Sequence, residues 1–332
     1  MRSYRLFVIL IGVLLAAFLA DIAIGSVNLS IGDVWSTLTG SNNDPIYQEI
    51  ILNHRLPKAL TAILAGAALS VAGVLMQTLF NNPLAGPDVL GVTSGASLGV
   101  ALLTLGTSAL PLWLIAGWGQ VAAAVAGAIG VLLLVIIVSI KIPQTVSLLI
   151  VGMMFGNFAG AIVSILQSMS NPDTLKLFIT WTFGSLSAVG WEQMAVMAPV
   201  IFGGIGMALL LQKQLNILLL GKNYASSLGI SVNRLRLWVI VATALLAGTS
   251  TAFTGPIAFI GITMPHIARG LFKTPNHHII LPASILCGAT TLLVCDVLSQ
   301  LPGIQGTLPI NAVTALFGAP VIVWIIISSP KP

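Results

Sequence analysis

The residues of this chain best placed to do chemistry are few, and they form no catalytic set. Arg55-Leu56-Pro57-Lys58 opens one apolar stretch, Asn82-Pro83-Leu84-Ala85-Gly86-Pro87 closes it, and Gly91-Val92-Thr93-Ser94-Gly95-Ala96 opens the next. From Ala59 to Pro87 no side chain is ionisable. Amides, prolines and small residues at such a turn cannot move protons or transfer groups. What they can do is hold irregular backbone at membrane depth, which is tolerated only where it is packed in protein or lines an aqueous passage. The chemistry to expect is therefore non-covalent: a pore-forming part.

Other reactive residues point the same way. Cys287 and Cys295, eight apart in one apolar segment, suggest neither a disulfide framework nor a metal spacing and read as packing residues. His266 follows Pro265 at a helix bend and reads as a cap, while His277 and His278 after Pro275-Asn276 read as a solvated helix start. No paired aspartates or Ser/His pair converge at equal depth, as an intramembrane enzyme would need.

The elements that must position these residues follow from composition. With 57% hydrophobic and 6% charged residues in 332, against about 25% charged in soluble domains, and a mean hydropathy of +1.05, a water-soluble enzyme is excluded. A spanning helix needs about 20 apolar residues, and nothing between Asp88 and Lys141 is charged. Charges and prolines divide the chain into ten spans, near 6–25, 58–80, 89–106, 112–140, 145–168, 192–212, 235–254, 257–270, 277–296 and 307–328. Phe18 and Leu15 intrude on a signal-cleavage pattern before Asp21, so the first span reads as retained. With the N-terminus inside, only Arg55, Lys58 and Lys176 among the basic residues fall outside, and only Asp88 among the acids falls inside. That agrees with the positive-inside rule for both termini cytoplasmic, and it accounts for the net charge of +5 without a nucleic-acid partner.

Gly91, Gly95 and Gly99, and again Gly152, Gly156 and Gly160, are spaced for close helix packing in lipid. The only candidates for a carboxylate at membrane depth, Asp88 and Asp296, sit at predicted helix ends, which argues against an ion-coupled secondary transporter. The chain also lacks a phosphate-cradling Gly-x-x-x-x-Gly-Lys-[Ser/Thr] loop, so energy must come from a partner. The longest inner connection, 213–236, is the natural place to receive it. Gly221 and Gly229 bound a short amphipathic stretch there, as two small helices joined at a bend would require.

Arg55 to Lys58, Gln77 to Pro87, Gly91 to Ala96, the Ala225-x-x-Leu228-Gly229 element, 255–266, Leu308-Pro309 and Gly318-Ala319-Pro320 together resemble the FecCD-type permeases. These are subunits of ATP-binding-cassette importers for iron-siderophore, haem and cobalamin. The resemblance implies an all-α, polytopic, homodimeric permease of the large (type II) class, one domain over 1–332, with a path on the two-fold axis in a bacterial inner membrane. It implies two copies of an ATPase subunit below, contacted by Gly221, Ala225, Leu228 and Gly229 in coupling helices within 213–236. Above, it implies a periplasmic or lipid-anchored binding protein docked on Arg55 and Lys58. Asn82, Leu84, Thr145 and Val146 would close the inner gate, the apolar pair by dewetting. No cofactor and no catalytic residue are implied; iron-siderophore is the first cargo to consider, with haem and cobalamin open beside it.

Overall fold

The computed structural model describes residues 2–25, 29–41, 44–106, 117–141, 144–300 and 307–328. Among them every regular element is helical. The chain crosses first as α1 (Arg2–Ala23). Ser30 then caps α2 (Ile31–Leu38), its Oγ accepting the Asp33 N–H at 3.1 Å. Asp44 caps α3 (Pro45–Gln48), where Pro45 suits a first helical position because its missing N–H would have no partner there. The chain widens into a π turn at Glu49–Arg55 and runs on as α4 (Leu56–Phe80).

A 3₁₀ turn at Pro87–Leu90 precedes α5 (Val92–Thr104), followed by α6 (Trp118–Lys141), α7 (Thr145–Ser168), α8 (Pro172–Thr182) and α9 (Trp191–Leu210). Two short helices, α10 (Gln212–Leu218) and α11 (Lys222–Ser227), lead into α12 (Val232–Thr254), α13 (Ile260–Phe272), α14 (His277–Ser299) and α15 (Ile310–Ser328). The two small helices read in the sequence between Lys213 and Arg236 are therefore present. Those at 31–38, 45–55 and 172–182 lie between the expected spans and were not anticipated.

Each of the ten expected spans contains a helix, and seven helices among the described residues are long and apolar enough to cross a membrane. At 13 residues each, α5 and α13 are not: at 1.5 Å per residue they cover about 20 of the roughly 30 Å of hydrocarbon. Both start in the middle of the bundle. The turn leading into α5 meets α7 about a third of the way along, where a Cβ on Gly152 would collide with the Val89 carbonyl oxygen. The α13 N-terminus meets α4 about two-thirds of the way along, where a Cβ on Gly73 would lie 1.6 Å from the Gly261 oxygen. The segments 81–91 and 255–259 thus re-enter the bundle from opposite ends, and Pro87 packs on Gly261 where they meet.

The core is built around α4, α12 and α14, whose apolar windows are 89%, 72% and 61% buried, against 17% for α1 and α7. Small residues let these helices touch backbone to backbone, the main packing device where lipid removes the hydrophobic drive. Gly66 abuts Gly288, and Gly95 abuts Gly127. Of the glycines expected to pack closely, Gly160 does not: nothing lies within 4 Å of the position its Cβ would take.

Candidate functional site

The 81–84 turn begins where α4 stops. Asn81 adopts the left-handed conformation at φ 46°, one of few non-glycine residues that tolerates it. The Asn82 N–H turns back to the Gln77 carbonyl at 3.1 Å, and the Asn82 Oδ1 accepts the Leu84 N–H at 2.9 Å, a turn made by the side chain imitating backbone. From α13, His266 Nε2 donates to the Pro83 carbonyl at 2.7 Å. One helical turn back, Gln77 Nε2 donates to the Ile262 carbonyl at 3.0 Å while Arg269 donates to its Oε1. The turn is held from both sides, and Leu84 stands out of it 43% exposed. Asn82 and Leu84 thus share one turn. The side chains of Thr145 and Val146 lie outside the described residues; their backbone opens α7 after Gln144.

At the same end of the bundle, α10 is seated by the buried Leu215 and Leu218. Gly221, at φ 106°, and Gly229, at φ 82°, take backbone conformations that L side chains rarely adopt, and open space surrounds both. The Gly229 N–H returns to Ser226 at 3.0 Å and the Ile230 N–H to Ala225 at 3.1 Å, closing α11. Leu228 is 54% and Tyr224 53% exposed. Ala225, expected to meet a partner, is fully buried and turned into its own chain; its small side chain seats α11, and the outward surface is Tyr224, Leu228 and Gly229. Partial burial and the nearby positive charge of Arg236 lower the pKa of Lys222. A hollow of about 520 Å³ lies alongside, walled by Leu211, Gly229, Arg234 and Trp238.

At the opposite end the structure corrects the expectation that Arg55 and Lys58 stand free on the outer face. Each is only 6% exposed. Lys58 Nζ lies 2.7 Å from Asp296 Oδ2 and 3.6 Å from Asp21 Oδ1. Arg55 donates to the Ile22 and Ala23 carbonyls at 2.7 and 2.9 Å, capping the C-terminus of α1. Gln300 Nε2 donates to Asp296 Oδ2 at 2.7 Å. Burial demands such pairing, because an unpaired charge taken out of water costs several kcal/mol. The cluster ties together one end each of α1, α4 and α14.

A bundle with re-entrant segments and an exposed pair of short helices has the form of a transport subunit. Residues 13–328 match the FecCD transport family. The chain belongs to that family. It is 35% identical to an uncharacterized ABC transporter permease protein, YvrB, of Bacillus subtilis over 98% of this chain and 94% of that one. It is 34% identical to the hemin transport system permease HmuU of Yersinia pestis over 97% and 94%. With the vitamin B12 import permease BtuC of Vibrio cholerae it shares 34% over 98% and 95%. Among solved structures, an inward-facing ABC transporter described as of the metal-chelate type superposes with a TM-score of 0.87 at 29% identity, covering 98% of this chain and 99% of that one. The chain is thus a multi-pass membrane permease of an ABC importer family whose members handle metal chelates, haem or vitamin B12.

Reading the sequence for this family missed three features. His266 clamps the 81–84 turn rather than capping its own helix. His277 is not a solvated helix start but is 1% exposed, bonded to Thr78 and Asn216. The re-entrant segments carry a repeated signature that relates them to each other, though not one that sets their depth. Pro83-Leu84-Ala85 followed by Gly91-Val92-Thr93 recurs as Pro256-Ile257-Ala258 followed by Gly261-Ile262-Thr263. Paired interrupted helices of this kind mark the pathway in many transporters. Leu64-Ala65-Gly66 on α4 also recurs as Leu246-Ala247-Gly248 on α12, and these are the two helices that feed the re-entrant segments.

Proposed function

We propose that the chain is the permease subunit of an importer for a bulky metal chelate, working as a homodimer of two ten-span subunits with both termini in the cytoplasm of a bacterial cell. Two copies of a separate ATPase subunit press on α10 and α11, a periplasmic or lipid-anchored binding protein delivers cargo at the opposite end, and the chain itself hydrolyses nothing. The observation that carries this reading is the exposed element from Gly221 to Gly229, standing at the same end of the bundle as the 81–84 turn, in a chain with no phosphate-binding loop. Leu84 then seals the inner mouth by dewetting, with Val146 as its apolar partner and Thr145 and Asn82 satisfying exposed backbone.

Docking of the binding protein is proposed to depend on Arg55 and Lys58 through the shape they maintain. Each is already partnered inside the chain, so reversing either charge breaks the end of the bundle that the partner meets. Supporting a passage on the two-fold axis is Asn157 on α7, an exposed amide midway along a 24-residue helix, where facing lipid would leave it unsatisfied.

Cargo is proposed as a ferric siderophore first, with haem and cobalamin as alternatives favoured by relatives named for hemin and vitamin B12. The test is uptake into proteoliposomes containing permease, ATPase and binding protein, with quenching of binding-protein fluorescence by each chelate in turn. Uptake is expected only with ATP and both partners. Accumulation by the permease alone on an ion gradient would refute the reading.

A further inference from the structure

We propose that His277 is a positioning residue that carries movement of α10 into the 81–84 turn, through a hydrogen bond on each side of its ring. The inference rests on the preceding reading of α10–α11 as the ATPase-facing element and of Leu84 as gate.

Two backbone N–H groups set the direction of the bonds between α10 and His277. The His278 N–H donates to the Asn276 Oδ1 at 3.0 Å, which makes that atom the oxygen. Asn216 on α10 therefore meets it with its Nδ2 donor, at 3.0 Å, and turns its own Oδ1 towards His277. That oxygen accepts both the backbone N–H and Nδ1–H of His277, each at 2.8 Å. The hydrogen on the neutral ring is thus on Nδ1, and Nε2, 2.8 Å from Thr78 Oγ1, is left to accept the Thr78 hydroxyl hydrogen, for which the Val74 carbonyl, also at 2.8 Å, competes. From Thr78 the turn is one step away, because its carbonyl accepts the Asn81 N–H at 3.3 Å and the Gln77 carbonyl accepts that of Asn82.

The ring is well suited to transmit rather than absorb displacement. It is rigid, only 1% exposed, and joins residues 61 and 199 positions away in the chain. With water excluded, a bond broken at either face leaves a buried polar group unsatisfied, so α10 and the end of α4 are held to move together.

The experiment uses proteoliposomes containing the permease with its ATPase and binding protein, and Leu84→Cys as a reporter of the turn. Three quantities are read: the nucleotide-driven change in maleimide labelling in the Leu84→Cys background and, with Leu84 intact, cargo moved per ATP and ATP hydrolysis itself. Thr78→Val deletes the hydroxyl at nearly constant shape, Thr78→Ser keeps it, and Asn216→Ala cuts the other side. The first and third are expected to reduce both the labelling change and cargo per ATP by about two- to thirty-fold, with hydrolysis and folded complex retained. Thr78→Ser restores both readouts, and the double variant is no worse than either single, as for two ends of one connection. Additive losses, or a labelling change that survives Thr78→Val, overturn the relay, and the Thr78 pair decides alone should Asn216→Ala fail to assemble. If labelling ignores nucleotide even with Thr78 and Asn216 intact, the gate reading fails and the relay with it.

Discussion

Lys58 illustrates how a side chain's partners can reverse what its position in the sequence suggests. A lysine beside a proline at a helix start reads as an outward charge, yet three helices deliver carboxylates and an arginine to the same place, and the ion pair with Asp296 closes at 2.7 Å. Removing one partner of a buried pair strands the other, so Lys58→Ala is expected to cost about 3–5 kcal/mol. The measurement is the unfolding midpoint of the purified permease in detergent. Adding Asp21→Asn and Asp296→Asn to Lys58→Ala should recover much of the loss, and a single variant as stable as the parent would show that the cluster holds nothing together. His277 makes the same point with neutral groups: its neighbours in sequence are polar, while its neighbours in space bury it.

Among the helices, contact distance decides which glycines matter. Gly73 and Gly160 are both small residues in apolar helices, but a Cβ on Gly73 would sit 1.6 Å from the Gly261 oxygen and one on Gly160 would meet nothing within 4 Å. Overpacking of this kind typically costs about 1–3 kcal/mol or more. Gly73→Ala is accordingly expected to lower the unfolding midpoint and the yield of folded permease, with Gly160→Ala neutral in both; equal behaviour would remove the case for a tight α4–α13 crossing. At α11, Gly229→Ala and Gly229→Glu share the strain of a positive φ, about 1–2 kcal/mol, but only the glutamate adds bulk and charge on the outward surface. In the reconstituted transporter Gly229→Glu should leave ATP hydrolysis running with little transport while Gly229→Ala keeps most of its coupling. Normal cargo movement per ATP in Gly229→Glu would argue against a partner contact there.

For the assembled bundle, the question is which apolar surface faces lipid and which faces a passage. Helix α7 is mostly exposed, and an apolar exposed helix by itself says nothing about its neighbour in a membrane. Asn157 breaks the symmetry, because an amide at the middle of a helix is stable only beside water or another polar group. Asn157→Cys is therefore expected to react with a membrane-impermeant thiol reagent in the reconstituted transporter, at a rate that changes with nucleotide. The native Cys287 and Cys295 are buried and supply little background. Absence of labelling in every nucleotide state would place this face against lipid or within closed packing.

Much of the membrane architecture was readable in one dimension because the bilayer imposes it locally. Each span must satisfy its own backbone, so length and apolarity are enough to place a helix in each expected interval, seven of those helices being long enough to cross, and to place the pair of short helices near Gly221. The 82–84 turn was readable too, since a proline and two amides after an apolar run stop a helix wherever it is placed. What the sequence could not determine was depth and partnership. Whether α5 and α13 cross the bundle or begin inside it depends on a packing of Pro87 against Gly261 across 174 residues of chain. Arg55 and Lys58 turn inward because Asp21 and Asp296 arrive from helices remote in sequence, and His277 is buried because Asn216 and Thr78 do. These are long-range pairings, chosen by which surfaces the folded bundle excludes from water and lipid, and no local pattern of residues encodes that choice.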